Sequence, residues 1–276
     1  FSEVVPGNCP GSQYDGGPSW SGSVENDLTY HVLQWEFDPN SFKAVLFTGY
    51  YANGATFRAG ATTNLGNLPL FSPVANFDVD GTYTLPPGYA IEGADLRVEF
   101  QPYTSFELPG DPQASGGTWS ARAPLLVGSD YTAEVEAREG NNFCSTRITF
   151  PSSEPNVPLL DLQPACTPLT PGVNATGITT DTVFQWTPSD FGIHVLFITR
   201  SEQPNFYVVT ADTEARIPDL SEYGLSLPSN ELLFWSVQAH GPLGSVDELA
   251  GTGSFVASEG PTYFARSETV PFTTAP

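Results

Sequence analysis

Tyr131-Thr132-Ala133-Glu134-Val135-Glu136-Ala137-Arg138 alternates without a break: Tyr131, Ala133, Val135 and Ala137 fall on one side of an extended chain, Thr132, Glu134, Glu136 and Arg138 on the other. Successive side chains of a β-strand point to opposite faces, so this stretch reads as a strand with one buried face. Leu233, Trp235, Val237 and Ala239 form a second inner row of the same kind later in the chain, and Ser236-Val237-Gln238-Ala239 parallels Glu134-Val135-Glu136-Ala137.

Such self-similarity points to a repeated architecture. A second pair of segments extends it: Leu33-Gln34-Trp35, followed by Asp38, Phe42 and Val45-Leu46-Phe47, parallels Phe184-Gln185-Trp186, followed by Asp190, Phe191 and Val195-Leu196-Phe197. On this reading Trp35 and Trp186 occupy equivalent core positions. Trp35 and Val135 stand 100 residues apart but Trp186 and Val237 only 51, so the first half carries an insertion. Within it, Gly49-Tyr50-Tyr51-Ala52 and Ala55-Thr56-Phe57-Arg58 flank Asn53-Gly54, a hairpin-turn dipeptide, which predicts two extra strands. Tyr83 to Leu85 and Leu96 to Phe100 read as further strands, and Leu108 to Asp130 as a long irregular loop rich in Gly, Pro and Ser.

A tryptophan on an early strand, an apolar strand after it and a late strand ending in Val-x-Ala resemble fibronectin type III domains, which are immunoglobulin-like β-sandwiches. The resemblance is clearest over residues 168–258. Val183-Phe184-Gln185-Trp186-Thr187-Pro188 is similar to the family's strand B, Ile193 to Thr199 to its strand C, and Phe234-Trp235-Ser236-Val237-Gln238-Ala239 to its strand F. The family's tyrosine corner, at the start of strand F, is replaced here by Leu232 and Leu233, with Tyr223 as the substitute. The resemblance implies an all-β fold: two β-sandwich domains in tandem, the first enlarged by an insertion of extra strands and loops. The expected division is 1–150, a Pro-rich linker at 151–167 and 168–276. Leu159, Leu160 and Leu162 follow the linker prolines, so the linker is expected to pack on one domain or between the two.

Composition agrees. Glycine and proline number 26 each among 276 residues while aromatics make up 13%, a balance that favours short strands joined by turns over long helices or disorder. Acidic residues outnumber basic ones 31 to 9, for a net charge of −22, and Lys43 is the only lysine. That excludes the basic footprint of a nucleic-acid partner and disfavours anionic lipid surfaces. The longest apolar runs, such as Ala44 to Phe47 and Ile193 to Ile198, are too short to cross a bilayer, so no transmembrane segment is expected. The sequence starts at Phe1 and holds no methionine, which leads us to expect a removed signal peptide and an extracellular or cell-surface location.

Candidate sites are sparse. Asp78-Val79-Asp80-Gly81-Thr82 matches the front of a calcium loop, with Asp78 and Asp80 as ligands, but lacks the distal glutamate; a plain β-turn is the competing reading, and no other cofactor is implied. Tyr50, Tyr51, Phe57 and Trp119 could form an aromatic platform for a sugar or protein ligand, or simply pack the inserted strands. Cys9, Cys144 and Cys166 match no zinc spacing; Cys144 with Cys166 is the expected disulfide because the two bracket the linker, with Cys9 as the competing partner. Asn174-Ala175-Thr176 is a glycosylation sequon. His31, His194 and His240 belong to no metal-binding spacing, and alternation against Ile193 and Val195 makes His194 a solvent-side residue. With no nucleophile elbow and no phosphate loop, the function expected is a non-enzymatic structural or assembly protein, a filament, surface-layer or envelope-complex subunit; an adhesion or carbohydrate- or protein-binding module is the alternative. Its partners are proteins, or further copies of itself, met through β-sheet edges. The segments Phe1 to Pro18 and Pro261 to Pro276 are expected to pack against a sheet, with Phe264, Val270 and Phe272 pointing inward and Pro271 on an edge.

Overall fold

The alternating stretches do form strands. The computed structural model describes residues 26–37, 44–57, 73–100, 104–108, 113–153, 157–190, 192–199, 205–248 and 260–276. Helix among these is limited to a 3-10 turn at Ser221–Tyr223 and one turn at 246–248.

The chain enters through two long strands, β1 (Asn26–Phe37) and β2 (Ala44–Phe57), which form a two-stranded antiparallel sheet of their own. Asn53-Gly54 makes no turn: Tyr30 pairs with Asn53 and Thr29 with Gly54, so cross-strand pairing with β1 overrides the local turn preference. Trp35 also departs from expectation. It lies half-buried in this hairpin, its ring 6.5 Å from Phe106, and is not the counterpart of Trp186.

The first sandwich follows, with β3 (Asn76–Thr84), β4 (Ala90–Phe100), β5 (Thr104–Glu107), β6 (Gln113–Ser115), β7 (Thr118–Pro124), β8 (Asp130–Glu139) and β9 (Asn142–Pro151). One sheet runs β3-β7-β6 and the other β5-β4-β8-β9. The region expected to be an irregular loop therefore contains β6 and β7, joined by Gly116 and Gly117 at positive φ. Tyr131, Ala133, Val135 and Ala137 are buried, as alternation requires, and Phe77 of the facing sheet meets Tyr131 edge-on at 5.3 Å. Trp119, 1% exposed, fills this core; its indole lies across Gly81 on the neighbouring strand, where any Cβ would collide with it. The Tyr131 hydroxyl donates to the Pro124 carbonyl and accepts from the Leu126 N–H at 3.2 Å, tying the β7–β8 corner as a tyrosine corner does.

Next comes β10 (Leu160–Asp161), parallel to β3. Val157, Leu160 and Leu162 are buried, the Thr146 hydroxyl donates to the Asp161 carbonyl at 3.1 Å, and Thr84 and Gln163 hydrogen-bond the Asp161 carboxylate. Val157, Leu160 and Leu162 thus dock the linker on the first sandwich, whereas Leu159 stays half exposed.

The second sandwich comprises β11 (Pro168–Thr170), β12 (Ala175–Ile178), β13 (Phe184–Trp186), β14 (Ile193–Thr199), β15 (Phe206–Thr210), β16 (Glu214–Ala215), β17 (Leu232–Gly241), β18 (Thr262–Arg266) and β19 (Val270–Thr274). One sheet is β11-β13-β16; the other runs β15-β14-β17-β19-β12, with β12 and β19 parallel. Phe184 packs edge-on against Trp235 at 5.3 Å and Phe272 at 5.6 Å, and Trp235 Nε1 donates to the Pro171 carbonyl at 3.2 Å. Tyr223, 71% exposed, is no tyrosine corner; the first sandwich has that feature and the second does not use it.

β18 joins the two sandwiches. It pairs antiparallel with β17 on one side, from Gln238↔Arg266 to Gly241↔Tyr263, and with β9 on the other, from Thr262↔Arg147 to Arg266↔Phe143. The two larger sheets consequently merge into one ten-stranded sheet. Between β18 and β19 the chain breaks at Ser267, whose hydroxyl accepts from the Val237 N–H at 2.9 Å. The break shifts side-chain parity by one residue. Val270 and Phe272 point inward as expected, whereas Phe264 does not and Ala265 takes its place. Nor is Pro271 on an edge: it sits between β17 and β12, and its carbonyl accepts from the Asn174 N–H at 2.8 Å. Residues 1–18, and with them Cys9, lie outside the described residues.

Candidate functional site

The outward face of the shared sheet divides at β18. On the first-sandwich side it is carboxylate-rich. Arg97 lies 3.6 Å from Asp95 and 3.8 Å from Glu134, and Arg138 pairs with Glu92 at 2.8 Å while its guanidinium covers the Phe143 ring at 5.3 Å. Burial, then the charges of Glu134, Asp95 and Glu92, raise the Glu136 carboxyl above the usual range, with Arg97 opposing. Phe143 leads to Phe264 at 5.9 Å and Phe264 to His240 at 5.1 Å, an aromatic row across the junction. Burial lowers the His240 pKa to about 4, so the ring is neutral near pH 7.

On the second-sandwich side the outward positions of β14, β15, β17 and β19 hold no Asp, Glu, Lys or Arg. Tyr207, Val209, Leu232 and Phe234 are exposed there, and Phe197 stacks obliquely on Tyr207 at 4.6 Å. This strip ends at β15, which pairs with β14 and with no other described strand. Sequence reading missed the face because its residues come from four strands separated by loops.

The residues singled out from sequence are not brought together. Trp119 is buried core, so it cannot serve as a platform. Tyr50 is half-buried, accepting or donating a 2.7 Å hydrogen bond with His31 Nδ1 and stacking on Phe100 at 6.0 Å, and so fixes the β1–β2 hairpin to the first sandwich. Asn76 reinforces that junction by hydrogen-bonding both the N–H and the carbonyl of Phe47, each at 2.8 Å. Tyr51 accepts from the Asn53 amide at 3.0 Å, and the Phe57 side chain lies outside the described residues. Asp78 and Asp80 stand in mid-strand on β3, in neither a calcium loop nor a turn; Asp78 is 3.9 Å from Arg122. Among the described residues no group of three or more His, Cys, Asp or Glu could hold a metal.

Cys144 and Cys166 are free and buried, so the expected bridge is not formed. Burial pushes the two thiols up to about 12 and about 11, and the Tyr89 hydroxyl accepts from the Ala165 N–H, next to Cys166, at 3.0 Å. Asn174 is exposed at a turn with φ of 60°.

His194 is 2% exposed rather than solvent-side: it pairs with Ala239 on the inner face, 5.7 Å from the Trp186 ring. Its Nε2 lies 3.0 Å from Ser189 Oγ, the spacing of a nucleophile and its base. Among the described residues Nδ1 has no hydrogen-bond partner, and none of their carboxylates orients the ring as in a triad. Burial lowers the His194 pKa, and the Asp212 main chain offsets part of that without meeting hydrogen-bond geometry. The Ser189 hydroxyl also hydrogen-bonds Cys166, which makes this cluster a polar tie between the linker and the β13–β14 corner.

No family model matches the chain, and no curated protein matches it. Among solved structures, the crystal structure of chicken CNTN1 FN1-FN3 domains is similar at 13% identity and a TM-score of 0.23, covering 67% of this chain and 57% of that one. At that level of likeness the fold rests on the strand order of the chain itself. No helix among the described residues is long and apolar enough to cross a membrane.

Proposed function

We propose that this chain is a non-enzymatic structural or assembly protein of the extracellular space or cell surface, a subunit of a filament, surface layer or envelope complex. The observation that carries this reading is β18, which pairs with β9 and β17 at once and makes one continuous sheet of two sandwiches. A ladder of that kind holds the sandwiches at a fixed angle, whereas a bare linker lets them swing. A rigid body ending in an open strand is a suitable building unit. On this reading the chain divides into an insert-bearing sandwich over 1–150, a docked linker over 151–167 and a second sandwich over 168–276, and the exposed sequon at Asn174 takes a glycan where the host glycosylates. Electron microscopy and native mass measurement of the source material test it. Ordered multimers are expected; a monodisperse monomer in every native fraction would refute it.

A further inference from the structure

In a chain with 31 acidic and 9 basic residues, an outward sheet face without a carboxylate marks a place where two copies can meet without mutual repulsion. The edge of that face is equally unguarded. β15 reads Phe206-Tyr207-Val208-Val209-Thr210, with neither charge nor proline, the two devices that normally blunt an edge strand. At the opposite end of the same sheet β5 carries Glu107, and the outward row beside it is acidic. The N–H and C=O groups of β15 that face away from β14 pair with no other described strand and can accept an extended segment. Charge selects its source: β15 of a second copy brings no carboxylate to the contact.

We propose that two copies of this chain pair antiparallel along β15, about a two-fold axis through Val208 and perpendicular to the sheet. Tyr207 then lies opposite the partner's Val209, an aromatic and β-branched pair of the kind that stabilises strand contacts. The axis keeps both uncharged faces on the same side, so the apolar strip of Phe197, Tyr207 and Val209 doubles in width. A contact of one five-residue strand per copy is small, which makes the dimer weak and concentration-dependent. The inference rests on the assembly reading above and names one of its edges.

Sedimentation equilibrium of the full chain at low and high sodium chloride tests it. A dimer is expected whose fraction rises with salt, because salt screens the −22 charges borne elsewhere on each copy. Val209→Glu and, separately, Tyr207→Glu should weaken association by at least about tenfold with melting temperature unchanged, since each sets carboxylates into the paired edge. Leu169→Glu, on the opposite sheet, should leave association intact. Tyr207 is 63% exposed, so its variant carries the test if Val209→Glu disturbs folding. A monomer at every concentration and salt, or a dimer indifferent to both β15 variants, would overturn the proposal. Native multimers that also form with the β15 variants would remove this edge alone and leave the assembly reading standing.

Discussion

The two sandwiches build the same strand arrangement around different anchors. In the second, Phe184 of β13 meets Trp235 of β17 and Phe272 of β19 edge-on across the core, while Trp186, also on β13, packs on His194. In the first, the tryptophan comes from β7 and fits against Gly81 of β3, while Tyr131 ties the corner that opens β8. Equivalent strands such as β8 and β17 keep their alternation because the sheet demands it. The bulky residue between the sheets can come from any inner position, provided a facing position makes room.

This difference sets the largest expected effects. Trp235→Ala and Trp119→Ala each remove a fully buried indole and should cost about 3–5 kcal/mol, against under about 2 kcal/mol for the half-buried Trp35→Ala, as measured by denaturant unfolding. Equal losses at Trp35 and the buried Trp186 would restore the repeat that the structure rejects.

Tyr131→Phe keeps the ring and deletes the corner bonds, leaving the Pro124 carbonyl and Leu126 N–H short of a partner; a loss of about 1–3 kcal/mol is expected. Tyr223→Phe should change nothing measurable, since that side chain is exposed in the second sandwich.

His240 ties stability to pH at the junction. Its folded pKa of about 4 lies below the ordinary 6.5, so the unfolded chain binds the proton first. Stability contributed by the neutral ring is present above about pH 6.5, falls as pH drops toward 4, and levels off below that, by roughly 3 kcal/mol in total. Replacing it, as in His240→Phe, should flatten that part of the curve in pH-dependent melts. The smallest effect is expected at Glu136, where Glu136→Gln relieves an unfavourable buried charge and should raise stability at pH 7 by less than about 1 kcal/mol.

Strand alternation made the core of the fold legible: Tyr131 to Ala137 and Leu233 to Ala239 turned out to be the central strands of the two sandwiches. The tyrosine corner was also within reach, because Tyr131 heads the alternating row. What local reading could not supply was pairing at long range. Asn53-Gly54 carries turn chemistry but lies along a twelve-residue partner strand, and that pairing outweighs the dipeptide. The match of Leu-Gln-Trp at 33–35 to Phe-Gln-Trp at 184–186 was too short to separate a core strand from a peripheral hairpin. The fit of Trp119 to Gly81 joins residues 38 positions apart, and the uncharged face arises only once four strands are set side by side.

β18 is the strand shared by both sandwiches, and amide hydrogen exchange on the intact chain tests that sharing most directly. A strand flanked on both sides hydrogen-bonds the amides it points either way, whereas an edge strand protects only alternate ones. Tyr263, Phe264, Ala265 and Arg266 face β9 and β17 together, so all four consecutive amides are expected to exchange as slowly as those of β8. Slow exchange at only every second residue of this stretch, with the others as fast as an exposed loop, would contradict the shared sheet and separate the two sandwiches.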